Sequence, residues 1–426
     1  MAISKEIFRN IIREGQEEII NVELYDRPID FEENGRYVFV GVRQAGKSYM
    51  LYKRAKQLIN NGYAVEDFVY INFDDERLYG MTVEDFDTIL QAYNSMYNHK
   101  PLLFFDEIQN IDGWEHFARR MANQKYRIFI TGSNAKMLSR DIQTTLGGRY
   151  IETMIYPYSF HEFIEAQGIT LDKQWKYGAM RSEVQIAFSK YMEWGGFPEL
   201  LQYRNKRRWI NDLYEKIILG DIILRNKVKN EAALRMAIKR LADNVMQPTS
   251  YNRLANLIKG AGINTTVSSI IEYVKYAKDA CLLFSIENYA SKFVEKETVK
   301  KHYFIDNGLL NIFLIGNKAA LLENLCAIHL LRTHGNNLYF YNKNIEIDFY
   351  IPEEGHAIQV SYSIEDEETR QREIDALKKF ACFQPLNKMT IITFDEEETI
   401  TLNDGKTINV IPVWKWLLDD NTISKE

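Results

Sequence analysis

The sequence predicts an α/β protein whose first part is a doubly wound parallel sheet. Five short apolar runs, each the length of a buried strand, are separated by segments with helical periodicity. A glycine-rich turn directly follows the first run and opens a helix-like segment. A pair of carboxylates ends the third run, at the edge where a parallel sheet binds its ligands. This alternation of elements places helices on both faces of one sheet.

The predicted strands share a short length and a high content of β-branched and aromatic residues, which favour strands over helices. They cover residues 37–40, 68–73, 101–105, 128–131 and 150–155. The segment 49–59 after the first strand has a helical pattern and stops at Asn60-Asn61-Gly62.

The loop between the first strand and its helix fits the pattern G-x-x-x-x-G-K-[ST]. The predicted phosphate-binding residues are Gly41, Val42, Arg43, Gln44, Ala45, Gly46, Lys47, Ser48 and Tyr49. Backbone N–H groups at a helix start attract a triphosphate, and the two glycines allow close approach. Lys47 would contact the β- and γ-phosphates, and the Ser48 hydroxyl would ligate Mg²⁺. The alternative is an ordinary glycine-rich turn.

The third strand ends in two acids with separable roles. Asp106 would hold the hydrated Mg²⁺, and Glu107 would orient and polarise the water that attacks the γ-phosphate. The alternative is a pair of acids that cap the next helix. No Asn-Lys pair has an Asp two places after the lysine, so a guanine-selective motif is missing. The predicted ligands are therefore ATP and Mg²⁺.

Three more polar residues are candidates for the site. Ser133 and Asn134 follow the fourth strand, where one of them would contact the γ-phosphate or the water; a helix N-cap is the alternative. Arg149 follows Gly147-Gly148 and is the candidate cation for the transition state, in its own chain or on a neighbour. A structural role is the alternative for this arginine.

These motifs together resemble the prokaryotic AAA-type P-loop ATPases that carry a C-terminal domain of unknown function 4143. The resemblance rests on residues 41–48, 69–78, 104–109, 131–134 and 147–149, and it continues through 156–163 and 194–199. It implies a P-loop NTPase sheet with Walker A and Walker B motifs and Mg²⁺-dependent ATP hydrolysis. It implies no particular physiological substrate.

The middle of the chain predicts a helical connector followed by a winged helix-turn-helix. A helix at 250–257, a turn, a helix at 264–278 and a strand at 281–286 have the order of that motif. Residues 250–280 and the basic stretch 204–208 are therefore candidate DNA contacts. Docking of an unidentified protein partner, or a solvated basic helix face, is the alternative.

The last part resembles a degenerate restriction-endonuclease-like α/β domain. Glu323 on a helix and Asp348 on a strand fit the metal-binding pattern, but Gln359 and Ser361 stand where a Glu and a Lys are expected. Because glutamine is a weak metal ligand and serine supplies no cation, the sequence disfavours nuclease activity. The predicted domains are 1–165 (ATPase), 166–310 (connector and winged helix) and 311–426 (nuclease-like).

Composition limits the function classes. A net charge of −6 argues against extensive coating of nucleic acid, and three widely spaced cysteines make neither a disulfide framework nor a metal knuckle. The absence of a long apolar run predicts a cytoplasmic protein without a membrane partner. The favoured function is ATP hydrolysis that drives a switch or motor. The alternatives are an ATP-gated nuclease-like enzyme and an ATP-binding scaffold that does not hydrolyse.

Overall fold

A computed structural model describes residues 3–25, 27–291, 298–314 and 316–419. Backbone contacts divide the chain into two compact units. The first comprises residues 1–156 and 279–281, and the second comprises 157–278 and 282–426. Within the described parts of the chain, no helix combines the length and the apolar character needed to span a bilayer.

The first unit contains the predicted five-stranded parallel sheet. Its strands are β1 (Tyr37–Val40), β2 (Phe68–Asn72), β3 (Leu102–Asp106), β4 (Ile128–Gly132) and β5 (Ile151–Met154). They lie in the order β2-β3-β4-β1-β5, and every pairing is parallel. The predicted strands are confirmed to within two residues at each end.

Five α-helices of the first unit accompany this sheet. They are α1 (Lys5–Asn21), α2 (Lys47–Asn60), α3 (Phe86–Asn94), α4 (Trp114–Asn123) and α5 (Arg140–Leu146). Helix α1 lies very close to β2, because a Cβ added at Gly15 would be 2.7 Å from the carbonyl oxygen of Tyr70. Every residue of β3 is buried, as expected for a strand covered on both faces.

The second unit begins with helices. They are α6 (Phe160–Ala166), α7 (Gly178–Trp194), α8 (Lys206–Lys216), a π-helical segment (Ile217–Leu224), α9 (Glu231–Asp243), α10 (Tyr251–Gly260) and α11 (Val267–Asp279). Later helices are α12 (Asn307–Asn311), α13 (Lys318–His334), α14 (Glu367–Ala381) and α15 (Val413–Trp416).

A nine-stranded sheet organises this unit. Its strands are β6 (Thr249–Ser250), β7 (Leu283–Asn288), β8 (Val299–Phe304), β9 (Tyr339–Asn342), β10 (Glu346–Ile351), β11 (His356–Val360), β12 (Lys388–Thr393), β13 (Glu398–Thr401) and β14 (Thr407–Pro412). They lie in the order β13-β14-β12-β11-β10-β9-β7-β8-β6.

This sheet continues across the predicted domain boundary at residue 310. Strand β7 precedes that boundary and pairs in parallel with β9, which follows it. Strands β6 and β7 both pair antiparallel with β8, and α10 and α11 lie between them in the chain, which is the element order predicted for a winged helix. The winged helix and the three-part division stay predictions.

A buried carboxylate fastens the end of α7 to the start of α12. Asp306 Oδ2 accepts a hydrogen bond of 2.7 Å from the Gly196 N–H, and Oδ1 accepts one of 2.8 Å from the Gly308 N–H. A Cβ at Gly195 would lie 1.9 Å from Asp306 Oδ1, so only glycine fits there. Burial outweighs these hydrogen bonds and raises the pKa of Asp306 to about 6.

Candidate functional site

The loop between β1 and α2 owes its shape to two glycines that act differently. Gly46 adopts the left-handed conformation, with φ 97°, and caps α2, which begins two residues earlier than predicted. A Cβ at Gly41 would lie 2.0 Å from the carbonyl oxygen of Ile155, just beyond β5. Glycine at position 41 is therefore required by the protein itself, in addition to any approach of a phosphate.

Lys47 connects this loop to the end of β3. Its side chain is 4% exposed, and its ammonium lies 3.3 Å from Glu107 Oε1. Lys47 Nζ also donates a hydrogen bond of 3.2 Å to the carbonyl oxygen of Val42. The structure thus brings the predicted phosphate-binding cation and the predicted water-orienting carboxylate into one site.

Asp106 is buried at the end of β3 and is surrounded by hydroxyl groups. The Thr131 hydroxyl donates to Oδ1, and the Tyr70 hydroxyl donates to Oδ2 at 3.0 Å. Burial and the neighbouring Glu107 raise the pKa of Asp106, although a hydrogen bond from Ser48 opposes this shift. A divalent cation that binds the Asp106 carboxylate would therefore compete with a proton, because burial favours the protonated acid.

Glu107 is held by both its backbone and its side chain. It has φ 53°, and its N–H donates a hydrogen bond of 3.0 Å to Thr131 Oγ1. Gln109 Nε2 donates to Glu107 Oε2 at 2.5 Å. Burial alone would raise the pKa of Glu107, but the Lys47 ammonium and this amide hold it below its ordinary value. Glu107 is therefore an ionised acceptor at neutral pH.

The donor set of this site suits magnesium. Ser48 hydrogen-bonds to Asp106, so the hydroxyl and the carboxylate predicted as ligands lie side by side. Both offer hard oxygen atoms, which Mg²⁺ prefers, and neither supplies a soft nitrogen or sulfur ligand. The residues present therefore fit the predicted cation.

Two other loop residues lie at the rim of the site. The Arg43 guanidinium lies 3.8 Å from Asp74, with both side chains partly exposed. Tyr49 is exposed and meets Tyr52 edge to face, with ring centroids 6.0 Å apart. The structure thus places them at the surface, and their predicted contacts with a nucleotide stay predictions.

The structure separates the two residues that the sequence treated jointly after β4. Ser133 Oγ accepts a hydrogen bond of 3.3 Å from Gln109 Nε2, which also holds Glu107. Asn134 instead caps the short helical turn Ala135–Leu138, where its Oδ1 accepts from the Lys136 N–H at 2.9 Å. Ser133 is the member of the pair that joins the hydrogen-bond network of Glu107.

Arg149 lies near the amino-terminal ends of the parallel strands, and the phosphate loop lies at their carboxyl-terminal ends. Two residues later, Ile151 begins β5 and pairs in register with Tyr37, at the start of β1, whereas the phosphate loop follows the end of β1. Arg149 Nη1 donates a hydrogen bond of 3.1 Å to the carbonyl oxygen of Gly147. This placement does not support action on a nucleotide of its own chain. Its predicted role on a neighbouring chain stays a prediction.

A row of hydroxyl groups behind Asp106 was not predicted. The Tyr52 hydroxyl donates to the Tyr70 hydroxyl oxygen at 2.7 Å, and the Tyr52 hydroxyl oxygen lies 2.6 Å from Glu18 Oε1 on α1. Because Tyr70 in turn donates to Asp106, the predicted magnesium ligand is linked to the surface of α1. Tyrosine in a buried strand resembles ordinary core packing, so the sequence carried no signal for this link.

In the second unit, the predicted nuclease-like residues fall on the expected elements. Glu323 lies on α13, Asp348 on β10 and Gln359 on β11. Gln359 Oε1 accepts a hydrogen bond of 2.8 Å from the Asp348 N–H, and the Ser361 hydroxyl donates to the carbonyl oxygen of Ser363 at 2.8 Å. A residue that the sequence analysis missed, Lys301, lies among these carboxylates.

Comparison with known proteins agrees with this geometry. The sequence profile of the AAA domain matches residues 33–164. An uncharacterized protein of Methanocaldococcus jannaschii is 33% identical over 98% of this chain and 96% of its own length. One of Haemophilus influenzae is 30% identical over 89% of this chain and 94% of its own length. The chain belongs to the family of these two proteins. Its first unit carries an AAA-type P-loop ATPase domain.

The remaining comparisons add a second domain match and two solved structures. Residues 185–320 match a domain of unknown function numbered 8612, so the resemblance to domain 4143 stays a prediction. A Walker-type ATPase of Pyrococcus abyssi has a TM-score of 0.43, with 14% identity over 74% of this chain and 96% of that one. The Orc1 protein of Aeropyrum pernix, solved in complex with DNA, has a TM-score of 0.35, with 12% identity over 77% and 94%.

Proposed function

We propose that the first unit binds ATP with Mg²⁺ and hydrolyses it to ADP and phosphate, as the switch or motor of a larger action on a partner. The single observation that carries this proposal is the contact between Lys47 and Glu107, 3.3 Å apart, beside the buried Asp106. A binding site alone needs the lysine, whereas a placed and ionised carboxylate suits activation of water.

The residues divide the work as follows. The backbone N–H groups of the loop and the Lys47 ammonium bind the phosphates, and Ser48 with Asp106 would hold Mg²⁺, which neutralises phosphate charge when bound. Glu107, fixed by Gln109, accepts a hydrogen bond from the attacking water and orients it. Thr131 holds both acids at once, since its hydroxyl contacts Asp106 and the N–H of Glu107.

The test is Mg²⁺-dependent release of phosphate from ATP by the purified chain. Lys47→Ala removes the phosphate-binding cation, and Glu107→Gln removes the acceptor for water while keeping the shape of the side chain. We expect Glu107→Gln to lower turnover by about 10²- to 10⁴-fold. The exposed Lys5→Ala and Glu84→Gln variants are matched controls of the same charge change and should keep normal turnover.

The same variants separate hydrolysis from scaffolding. If Glu107→Gln binds ATP and its slow turnover equals that of the wild-type chain, the protein holds ATP without useful hydrolysis. If neither variant changes a fast wild-type turnover, the proposed site is wrong.

A second candidate function is binding of DNA, favoured by a cationic cavity of the second unit. The cavity of about 600 Å³ is lined by Lys190, Arg204 and Lys206, together with the rings of Trp194 and Tyr203. Among the residues that the structure describes, no acidic side chain belongs to this lining. Burial and the nearby Lys190 lower the pKa of Lys206, so an anion such as phosphate would relieve the repulsion.

The test for DNA is the salt dependence of binding to a fluorescent oligonucleotide. Three phosphate contacts predict about a 40-fold loss of affinity between about 50 and about 200 mM salt. Arg204→Ala and Lys206→Ala should each reduce this dependence, while the exposed Lys239→Ala should not. Unchanged affinity in both variants would show that Arg204 and Lys206 do not contact DNA, and would leave residues 207–208 and 250–280 as the candidate contacts.

A further inference from the structure

A cluster of opposite charges is buried inside the second unit. Lys301 on β8 has a fully buried side chain. Its Nζ lies 3.1 Å from Asp348 Oδ1 and 3.3 Å from Glu323 Oε1. A third carboxylate, Glu346, is 3.4 Å from the same ammonium and is partly exposed. One cation thus lies among carboxylates from α13 and β10.

The lysine in this cluster is charged. A buried ammonium without partners would lose its proton, because burial disfavours the charged form. Carboxylate oxygens of Glu323, Glu346 and Asp348 all lie within 3.4 Å of the Lys301 Nζ and supply such partners. The ammonium also lies above the ring of Phe340, 5.8 Å from its centroid. Lys301 is therefore an ammonium paired with carboxylates on more than one side.

Both acids also accept hydrogen bonds from groups other than Lys301. Asp348 Oδ2 accepts a hydrogen bond of 3.0 Å from the Val360 N–H. Glu323 Oε1 accepts one of 2.7 Å from the Tyr303 hydroxyl.

The residue in place of the expected glutamate is also committed to a structural role. Gln359 Nε2 donates a hydrogen bond of 2.7 Å to Glu373 Oε2, while its Oε1 accepts from the Asp348 N–H. Both ends of the amide are therefore fixed, and neither is directed at a metal. A metal-dependent enzyme needs an ion with an open position for water, which an ammonium does not offer.

We propose that Lys301 occupies the position that a divalent metal ion would take between Glu323 and Asp348. The second unit then carries its own internal cation and performs no metal-dependent chemistry at this cluster. Its carboxylates serve the fold of the sheet.

The test replaces the ammonium with an uncharged side chain of similar length, Lys301→Met. All proteins carry Asp106→Asn, which removes the candidate metal ligand of the first unit from the measurement. Binding of Mn²⁺ is followed by electron paramagnetic resonance. We expect no Mn²⁺ bound at the cluster of the Asp106→Asn protein, and one Mn²⁺ per chain after Lys301→Met. That new binding should be lost again when Asp348→Asn is added.

The matched control is Lys300→Met, which removes the neighbouring lysine that pairs with Glu287 at 3.0 Å on the other side of the strand. It should create no Mn²⁺ site. The proposal is overturned if Lys301→Met folds and binds no Mn²⁺. It is also overturned if the chain with Lys301 intact binds Mn²⁺ in a way that Asp348→Asn abolishes.

A second measurement decides the matter if Lys301→Met does not fold. Thermal unfolding of the wild-type chain and of Asp348→Asn is compared in Mg²⁺ and in EDTA, without nucleotide. The proposal expects Asp348→Asn to lower the unfolding temperature by the same amount in both solutions, because the lost partner is Lys301. If the wild-type chain unfolds at a higher temperature than Asp348→Asn in Mg²⁺ but not in EDTA, the cluster holds a metal and the proposal is wrong.

Discussion

At the scale of single residues, Tyr70 is the side chain whose role the structure defines and the sequence did not. Its hydroxyl donates to Asp106 at 3.0 Å, across a separation of 36 residues in the chain. Tyr70→Phe removes this donor, raises the pKa of Asp106 further and lets a proton compete better with Mg²⁺. We expect the Mg²⁺ concentration for half-maximal ATP hydrolysis to rise by about tenfold or more, because a hydrogen bond to a charged group is worth about 1.5–3 kcal/mol.

Tyr52→Phe is the matched control, because it removes the hydroxyl one step farther from Asp106. Its effect on the Mg²⁺ requirement should be smaller, although both variants lose a buried hydroxyl and should lose similar stability. Equal shifts in the Mg²⁺ requirement for the two variants would show that only packing is affected.

At the scale of elements, the junction of α7 and α12 predicts a dependence of stability on pH. The pKa of Asp306 is about 6 in the folded chain, above an ordinary value of about 3.9. Folding therefore favours the protonated acid. The stabilisation that comes from protonation of Asp306 is complete below about pH 4 and is lost as the pH rises through 6. The loss amounts to at most about 3 kcal/mol, from a shift of about two pKa units.

Asp306→Asn removes the titration and keeps the size of the side chain. We expect the difference in unfolding free energy between the wild-type chain and this variant to shrink between pH 4 and pH 7.5, as measured by urea unfolding. The exposed Asp404→Asn is the control and should show no such trend. A difference that stays constant with pH would contradict the assignment of this titration to Asp306.

Sequence-based prediction succeeded where the residues of the site are adjacent in the chain or at neighbouring strand ends, and failed where their partners lie on distant elements. The phosphate loop was predicted because its residues are contiguous, and Asp106 with Glu107 because strand ends in a parallel sheet share one edge. Lys301 and Tyr70 could not be predicted, because their partners lie on other elements, 47 and 36 residues away. Arg149 was given a role from its glycine-rich context, and only strand register shows which edge of the sheet it occupies.

At the scale of the whole molecule, the nine-stranded sheet predicts which fragments fold. A fragment of residues 311–426 would lack β6 to β8, expose an edge of β9 and leave Glu323 and Asp348 without Lys301. Removing one partner from a buried ion pair costs about 3–5 kcal/mol. We expect this fragment to show no cooperative thermal unfolding by circular dichroism, and residues 157–426 to unfold cooperatively. Cooperative unfolding of 311–426 alone would instead support the three-part division.

The place where the first unit ends has a mechanical consequence. Arg27 donates one hydrogen bond to the carbonyl oxygen of Ala45, in the phosphate loop, and another to that of Tyr156, each at 3.1 Å. Tyr156 is the last residue before the chain enters the second unit. Because a guanidinium group is a rigid plane, Arg27 holds the two carbonyl groups at a fixed separation. A displacement of the phosphate loop would therefore be transmitted through Arg27 to the backbone at Tyr156, where the chain leaves the first unit.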